Sequence, residues 1–202
     1  MAKKALLIGA TGLVGSHILE LSLADASFDE VVVFARRPTG KKHSKLVEHV
    51  VDFAKMGEWA HLVRGDVGFS ALGTTRAQAG GIENQRVVDY TYQLEFAKAC
   101  AKGGVKTFVL ISSAQASSRS HFAYTKMKGE LEDAVTGLGF EHLEIIRPGP
   151  LVGHREKPRL SERLGFPVVE VLSRLPGLEN FKPIAASKVA AQAVSAAHSG
   201  VV

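Results

Sequence analysis

The chain has 202 residues, 46% hydrophobic and 22% charged, which suits one α/β domain of ordinary globular composition and leaves little for a second. Its net charge of +5 comes from scattered lysines and arginines, apart from Arg36-Arg37 and Lys41-Lys42, so the composition predicts no nucleic-acid surface. A single cysteine, Cys100, excludes an internal disulfide, and no apolar run reaches the ~18 residues of a membrane span.

The first predicted element is a strand, Lys4 to Ile8, whose run Leu6-Leu7-Ile8 suits a central parallel strand covered on both faces. Glycines follow at positions 9, 12 and 15, ahead of a helical pattern through Leu23. This G-x-x-G-x-x-G spacing is a variant of the dinucleotide fingerprint. Backbone without Cβ atoms lets N–H groups approach a pyrophosphate, and the helix N-terminus adds partial positive charge. The same glycines would also serve close helix–strand packing.

Glu30 to Ala35 is the second strand, and Leu46 to Val51 the third, ending at Asp52-Phe53. A helix is predicted over Met56–Val63, then a fourth strand over Asp66–Gly73. The loop from Thr74 to Gly81 leads into a long helix through Lys102, which Gly103-Gly104 stops. The fifth strand is Lys106–Ser113, a helix runs over Ala123–Thr136, and the sixth strand, Leu143–Arg147, ends at Pro148-Gly149-Pro150. One further helix is predicted near Leu160–Leu175 and a last one from Ser187. Alternating strands and helices predict a doubly wound parallel sheet, a Rossmann fold, with its ligand beyond the carboxyl ends of the strands. Residues 1–202 are expected to form one domain, with 151–202 a short extension on the substrate side.

Arg36 stands 21 positions after Gly15, where an NAD-binding sheet places an acidic residue for the ribose hydroxyls. With Arg37 beside it and no carboxylate, the pattern predicts NADPH, because guanidinium groups match a 2′-phosphate; an ordinary surface arginine pair is the alternative. Asp52 suits either the adenine amino group or a helix cap. Tyr124 and Lys128 fall at i and i+4 on one helix face, where an ammonium can lower the phenol pKa for proton exchange with a carbonyl oxygen. Ser113 ends the preceding strand and is placed to bond the same oxygen, unless it and Ser112 serve as loop or cap hydroxyls. Cys100 is expected to be a small buried residue, His121 an exposed loop histidine, and Trp59 core; the eight histidines show no metal spacing.

The glycine pattern, Ser113, Tyr124 and Lys128 resemble the short-chain dehydrogenase/reductase superfamily in its extended or atypical branch. More narrowly, Ser70-Ala71-Leu72-Gly73-Thr74-Thr75-Arg76-Ala77-Gln78-Ala79-Gly80-Gly81, Val51-Asp52-Phe53, Lys126-Met127-Lys128-Gly129-Glu130-Leu131-Glu132 and Ile146-Arg147-Pro148-Gly149-Pro150-Leu151-Val152-Gly153 look like the Tat-interacting-protein-like group, which includes fungal proteins associated with mitochondria. The resemblance runs from about Lys4 to Glu156. It implies that Gly9, Thr11, Gly12, Leu13 and Val14 hold the pyrophosphate, and that Arg36 and Arg37 hold the 2′-phosphate. Asp52 and Phe53 would flank adenine, and Leu72, Gly73 and Thr74 the adenosine. Pro148, Gly149 and Leu151 would line the nicotinamide. Ser113, Tyr124 and Lys128 would be the catalytic set, with Lys128 also on the nicotinamide ribose. The expected partners are NADP(H) and a small carbonyl or alcohol, with dimerisation through the helices at 83–102 and 123–136 implied by resemblance only.

Two features depart from extended enzymes. Tyr124 follows Ser113 by only 11 positions, and the tail after Pro150 is brief, so a small or open substrate pocket is expected. Members of this group also include regulators, which makes a nucleotide-binding regulatory protein with little turnover the alternative to an oxidoreductase. The lone cysteine and a first strand beginning near Lys4, with no room for a cleaved targeting peptide, predict a cytoplasmic location; peripheral association with the mitochondrial outer membrane is the alternative for a fungal chain.

Overall fold

A computed structural model describes residues 3–152 and 183–199. Six strands, β1 (Lys3–Ile8), β2 (Phe28–Ala35), β3 (Leu46–Val50), β4 (Val67–Ser70), β5 (Thr107–Ile111) and β6 (His142–Ile146), form one sheet in the order β3-β2-β1-β4-β5-β6. Every neighbouring pair is parallel. The strand order reverses between β1 and β4, which opens a crevice at their carboxyl ends. The doubly wound sheet expected from the sequence is therefore the fold.

Alternation along the strands builds two cores. Ala5 and Leu7 of β1 and Val31 and Val33 of β2 face a cluster with Ile18 and Leu19 of α1 (Leu13–Ala24). Leu6, Ile8, Val32 and Phe34 face the opposite cluster, with Trp59, Phe96, Phe108 and Leu131. Both faces are apolar because both are covered. The C-terminal helix, α7 (Ala186–Ser199), completes the first layer with Val189, Ala190, Ala193 and Ala197, all fully buried. Its end is tied down where Lys3 Nζ donates to the Ala197 carbonyl at 3.3 Å and His198 Nε2 meets Asp25 Oδ2 at 2.8 Å.

Several predicted elements take another form. The helix expected over Met56–Val63 is one short α-helix, α2 (Met56–Trp59), between 3₁₀ turns at Phe53–Lys55 and Ala60–Leu62. The Trp59 indole N–H donates to the Asp52 carbonyl at 2.9 Å and packs the segment under β2, where no regular helix extends. The loop expected through Gly81 contains α3 (Arg76–Ala79). The long helix is α4 (Ile82–Arg86) and α5 (Tyr92–Lys102), joined by a π-helical turn at Val87–Thr91. After α6 (Ala123–Thr136) and β6, a parallel two-stranded ribbon forms from β7 (Leu151–Val152) and β8 (Ile184–Ala185), which local periodicity did not announce. The helix predicted near Leu160–Leu175 lies outside the described residues.

Cys100 is fully buried on α5, against Gly68, whose missing side chain leaves room for the sulfur and the Phe108 ring. Burial pushes its thiol well above the ordinary value. The native protein should therefore leave Cys100 unmodified by a thiol-reactive dye, with one equivalent reacting only after urea unfolding. Prompt labelling of the folded protein would refute its packing role.

Candidate active site at the carboxyl edge of the sheet

The turn after β1 is held by its own packing. Gly9 adopts φ +85°, and a Cβ there would lie 2.4 Å from the Ala71 backbone. A Cβ on Gly15 would sit 2.1 Å from the Gly9 carbonyl oxygen, so helix and turn touch backbone to backbone. Gly12 differs: it is exposed, donates to the Gly9 carbonyl at 2.8 Å, and its nearest neighbour for a Cβ would be that same oxygen at 3.1 Å. Gly12 is also the N-cap of α1. No side chain caps it and the first turn holds no acidic residue, so the helix terminus keeps its N–H groups and partial positive charge for an anion.

In front of this turn lies a cleft of about 380 Å³. One wall is Gly9, Ala10 and Thr11, and another is Phe34 and Ala35 at the end of β2, continuing into Arg36 and Arg37. Phe53 and Leu72 close it. Both arginines are exposed, and among the described residues no carboxylate pairs with either. Lys41, farther along the basic loop, is instead paired with Glu20 on α1. The cleft thus has an uncapped helix terminus on one side, two exposed guanidinium groups on another, and apolar walls between. Asp52 does not line the cleft. It is exposed, and its carboxylate accepts from the Ala54 N–H at 2.9 Å as the cap of the 3₁₀ turn.

The second half of the edge lies over β4, β5 and β6. Beyond their paired ends the Ser112 N–H donates to the Ile146 carbonyl at 2.8 Å and the Ala114 N–H to the Pro148 carbonyl at 2.9 Å. These bonds place Ser113 beside Pro148. The Ser113 hydroxyl is half-buried and donates weakly to the Ala114 carbonyl at 3.4 Å. Residue Gln115 then takes φ +61°, the one positive value among the described non-glycine residues, in the turn that leads away from the strand. Gly129 of α6 admits the loop that follows, since a Cβ there would meet the Ser117 backbone at 2.1 Å. This contact is how so short a connection brings α6 back against β5.

On α6, Tyr124, Lys128 and Glu132 form one stripe at successive turns. Tyr124 lies 38% exposed at the open end. Lys128 is fully buried, and its ammonium donates to the Ile111 carbonyl at 3.2 Å, two residues before Ser113. Burial lowers its pKa from 10.5 to about 8, against the opposing pull of Asp89 and Glu132. Glu132, also buried, is held by Ser112 and by Arg147, which donates from Nη2 at 2.6 Å and from Nε at 3.0 Å to both carboxylate oxygens. Asp89 of the π-helical turn is 1% exposed, and its carboxylate accepts from the Thr74 N–H at 3.2 Å.

No role was expected for Asp89, Glu132 or Arg147; Glu132 and Arg147 stand inside segments that carry the resemblance, whereas Asp89 is marked only by its place in line with Gln85 and Gln93. Gly9, Thr11, Arg36, Arg37, Phe53 and Leu72 gather around the cleft. Ser113, Pro148 and Lys128 gather at the other half of the edge, with Tyr124 one helical turn above the lysine. Leu13 and Val14 are buried in the first turn of α1, Gly73 and Thr74 follow β4, and Gly149 and Leu151 lead into β7.

The buried lysine sets a pH dependence. In the native state Lys128 loses its proton near pH 8, whereas the unfolded chain keeps it to about 10.5, so the native state binds fewer protons between those values. Stability contributed by this group therefore rises with pH across that window and is flat below it. Relative to Lys128→Met, wild type should gain up to about 3 kcal/mol between pH 7.5 and 10.5, measured by urea midpoints at each pH. Parallel curves for the two proteins would refute a buried titrating lysine.

The HIM1 family model matches residues 39–174. FMP52 of Candida albicans, named as mitochondrial, is 36% identical over 206 residues, covering 96% of this chain and 88% of that protein. The chain belongs to the HIM1 family. A second mitochondrial relative of this HIM1-family chain, fmp52 of Emericella nidulans, is 43% identical over 166 residues, covering 77% of this chain and 70% of that protein. Among solved structures, the Bordetella bronchiseptica enzyme WbmH in complex with NAD+ matches with TM-score 0.74 at 20% identity, covering 98% of this chain and 73% of that one. The Thermotoga maritima UDP-glucose 4-epimerase with UDP-glucose matches at TM-score 0.71 and 14% identity, covering 95% and 72%. These neighbours share the Rossmann-like fold.

The relatives correct one expectation. They are named as mitochondrial, which overturns the cytoplasmic location read from the sequence. A lone buried thiol with no partner to oxidise is compatible with either compartment, so Cys100 carried no information about it. Among the described residues no helix is long and apolar enough to cross a membrane.

Proposed function

We infer that this chain is an NADPH-dependent oxidoreductase of the short-chain dehydrogenase/reductase type that reduces a small carbonyl compound, with Tyr124 as general acid. The observation that carries this reading is the cleft with an uncapped helix N-terminus on one side and the exposed guanidinium groups of Arg36 and Arg37 on another, with which no carboxylate among the described residues pairs. Neighbours of the same fold solved with NAD support a dinucleotide at this edge. Two arginines and no carboxylate at the end of β2 favour the 2′-phosphorylated form.

In this arrangement Gly9, Thr11, Gly12, Leu13 and Val14 surround the pyrophosphate, with Phe53 at the adenine. Leu72, Gly73 and Thr74 bound the adenosine, and Pro148, Gly149 and Leu151 border the nicotinamide. Bound NADPH would supply a hydride to the carbonyl carbon. Tyr124 gives its phenolic proton to the carbonyl oxygen as the C=O double bond becomes C–OH. Ser113 holds that oxygen by a hydrogen bond, and the Lys128 ammonium, one turn below, favours the phenolate that remains.

The test is a fluorescence titration with NADPH and NADH, followed by a carbonyl panel with wild type and Tyr124→Phe. NADPH should bind more tightly than NADH. At least one aldehyde or ketone should be reduced, and Tyr124→Phe should lower kcat about 10²–10⁴-fold with the NADPH Kd unchanged. Tight NADPH binding with no carbonyl reduced would instead favour a nucleotide-responsive regulatory protein.

A further inference from the structure

The loop between β2 and β3 carries Arg36, Arg37, Lys41, Lys42 and Lys45, yet two carboxylates are built against it. A carboxylate beside a phosphate site repels the ligand, so each calls for a physical reason. Glu20 of α1 pairs with Lys41 and meets His17 Nδ1 at 3.5 Å, all three side chains being substantially exposed. Glu48 acts on the backbone instead. It stands on β3 opposite Val33, half-buried, and its Oε1 accepts from the Thr39 N–H at 2.9 Å. The Thr39 hydroxyl then accepts from the Lys41 N–H at 3.2 Å around Gly40, which takes φ +76°. On the near side of the loop, the carbonyl of Ala35, the last residue of β2, accepts from the Val51 N–H at 2.9 Å.

Arg36, Arg37 and Pro38 therefore form a short span fastened at both ends, to Val51 just past β3 and to Glu48 within it. The Pro38 ring fixes its own φ and confines Arg37 to extended backbone. Proline has no N–H, so the Thr39 amide is the first donor after the arginines that an anchor can take. A backbone so held keeps both arginines rooted at the wall of the cleft and leaves less ordering for a ligand to impose.

We propose that Glu48 is a positioning residue that sets the preference for a phosphorylated dinucleotide, by holding the arginine span through the Thr39 N–H. The proposal rests on the NADPH reading and assigns the device that maintains it. Charge and hydrogen bond act here with opposite signs. The negative charge of Glu48 repels a 2′-phosphate, whereas its bond to Thr39 preserves the backbone that receives one. When the anchor is lost, the binding-competent loop becomes a smaller fraction of the population, and the apparent Kd rises in proportion. NADH presents no phosphate to the arginines, so its affinity is insensitive to both effects.

Glu48→Gln and Glu48→Ala separate the two, because glutamine keeps a side-chain oxygen for Thr39 while carrying no charge. Glu48→Thr, too short to reach Thr39 and well suited to a strand, gives the alanine reading if that protein does not fold. Each variant is titrated by fluorescence with NADPH and NADH. Glu48→Ala should weaken NADPH about tenfold and leave NADH within about twofold. Glu48→Gln should bind NADPH as tightly as wild type or up to about threefold tighter, and Glu20→Gln, which removes a neighbouring charge without touching the loop backbone, should do the same. Amide exchange of Thr39, followed by NMR without cofactor, should be slow in wild type and Glu48→Gln and about tenfold faster in Glu48→Ala. Unchanged or tighter NADPH binding by Glu48→Ala overturns the proposal and leaves the NADPH reading standing. Equal losses for NADPH and NADH would show a general loosening of the fold and overturn it as well. A wild-type protein that does not prefer NADPH refutes the NADPH reading itself, and the specificity role falls with it even where the Thr39 amide is protected.

Discussion

Replacing Arg36 and Arg37 together by alanine should weaken NADPH binding about 100-fold while leaving NADH within about threefold. Each guanidinium can give charge-assisted bonds to a phosphate dianion, worth roughly 1.5–3 kcal/mol when the acceptor is charged, and tenfold in affinity is about 1.4 kcal/mol. Exposure reduces that yield, which is why the expected loss is nearer the value of one bond than of two pairs. The discrimination arises because neither arginine is engaged elsewhere in the described structure, and because β2 ends without an acidic residue to receive unphosphorylated ribose hydroxyls. Wild-type preference for NADPH should shrink as salt is raised, through screening of exposed charges. Fluorescence titration of both cofactors against both proteins checks this. Equal losses for NADH and NADPH would mean that the arginines serve the fold or the pyrophosphate, and the assignment of the 2′-phosphate would fail.

The second large effect concerns stability. Gly15→Ala should cost about 3 kcal/mol or more, a substantial share of the ~5–15 kcal/mol by which domains of this kind are stable. Its Cβ would come within 2.1 Å of the Gly9 carbonyl oxygen, and that oxygen already accepts from Gly12 N–H, so neither backbone can yield without losing the turn. Gly57→Ala is the control: nothing lies within 4 Å of the place its methyl group would take, and it should be neutral or slightly stabilising. Urea denaturation of the two variants measures the contrast, and a Gly15→Ala protein as stable as wild type would refute the backbone contact. Gly9 and Gly15 are thus required by packing whether or not a nucleotide binds. Gly12, exposed at the cap of α1, is the position where a ligand-specific demand would show, as lost NADPH affinity in a Gly12→Ala protein that still folds.

What could be read in advance was whatever local periodicity encodes. The apolar run Leu6-Leu7-Ile8, the β-branched run Val31-Val32-Val33 and the glycine spacing each act within a few residues, and they announced strands, turn and fold class. The arginine pair at the end of β2 was legible because strand ends in this fold share one edge. The helix over Met56–Val63 was misjudged because its hydrophobic spacing reflects Trp59 anchored to Asp52, a contact that shortens the helix while keeping its pattern.

By itself the sequence determined the alternating sheet, the packing glycines and the identity of the polar groups placed at the strand ends. Only the tertiary structure decided which of those groups meet. Glu132 is one of several acidic residues on α6, yet it alone is clasped by Arg147 and Ser112 across three elements. Asp89 is one residue in a long helix, and a π-helical turn with no sequence signature directs it into the interior beside Thr74. The reason is range. Strand and turn preferences are set by a residue and its immediate neighbours, whereas the charge state of a buried lysine is set by desolvation and by carboxylates that the folded chain brings to it from far along its length.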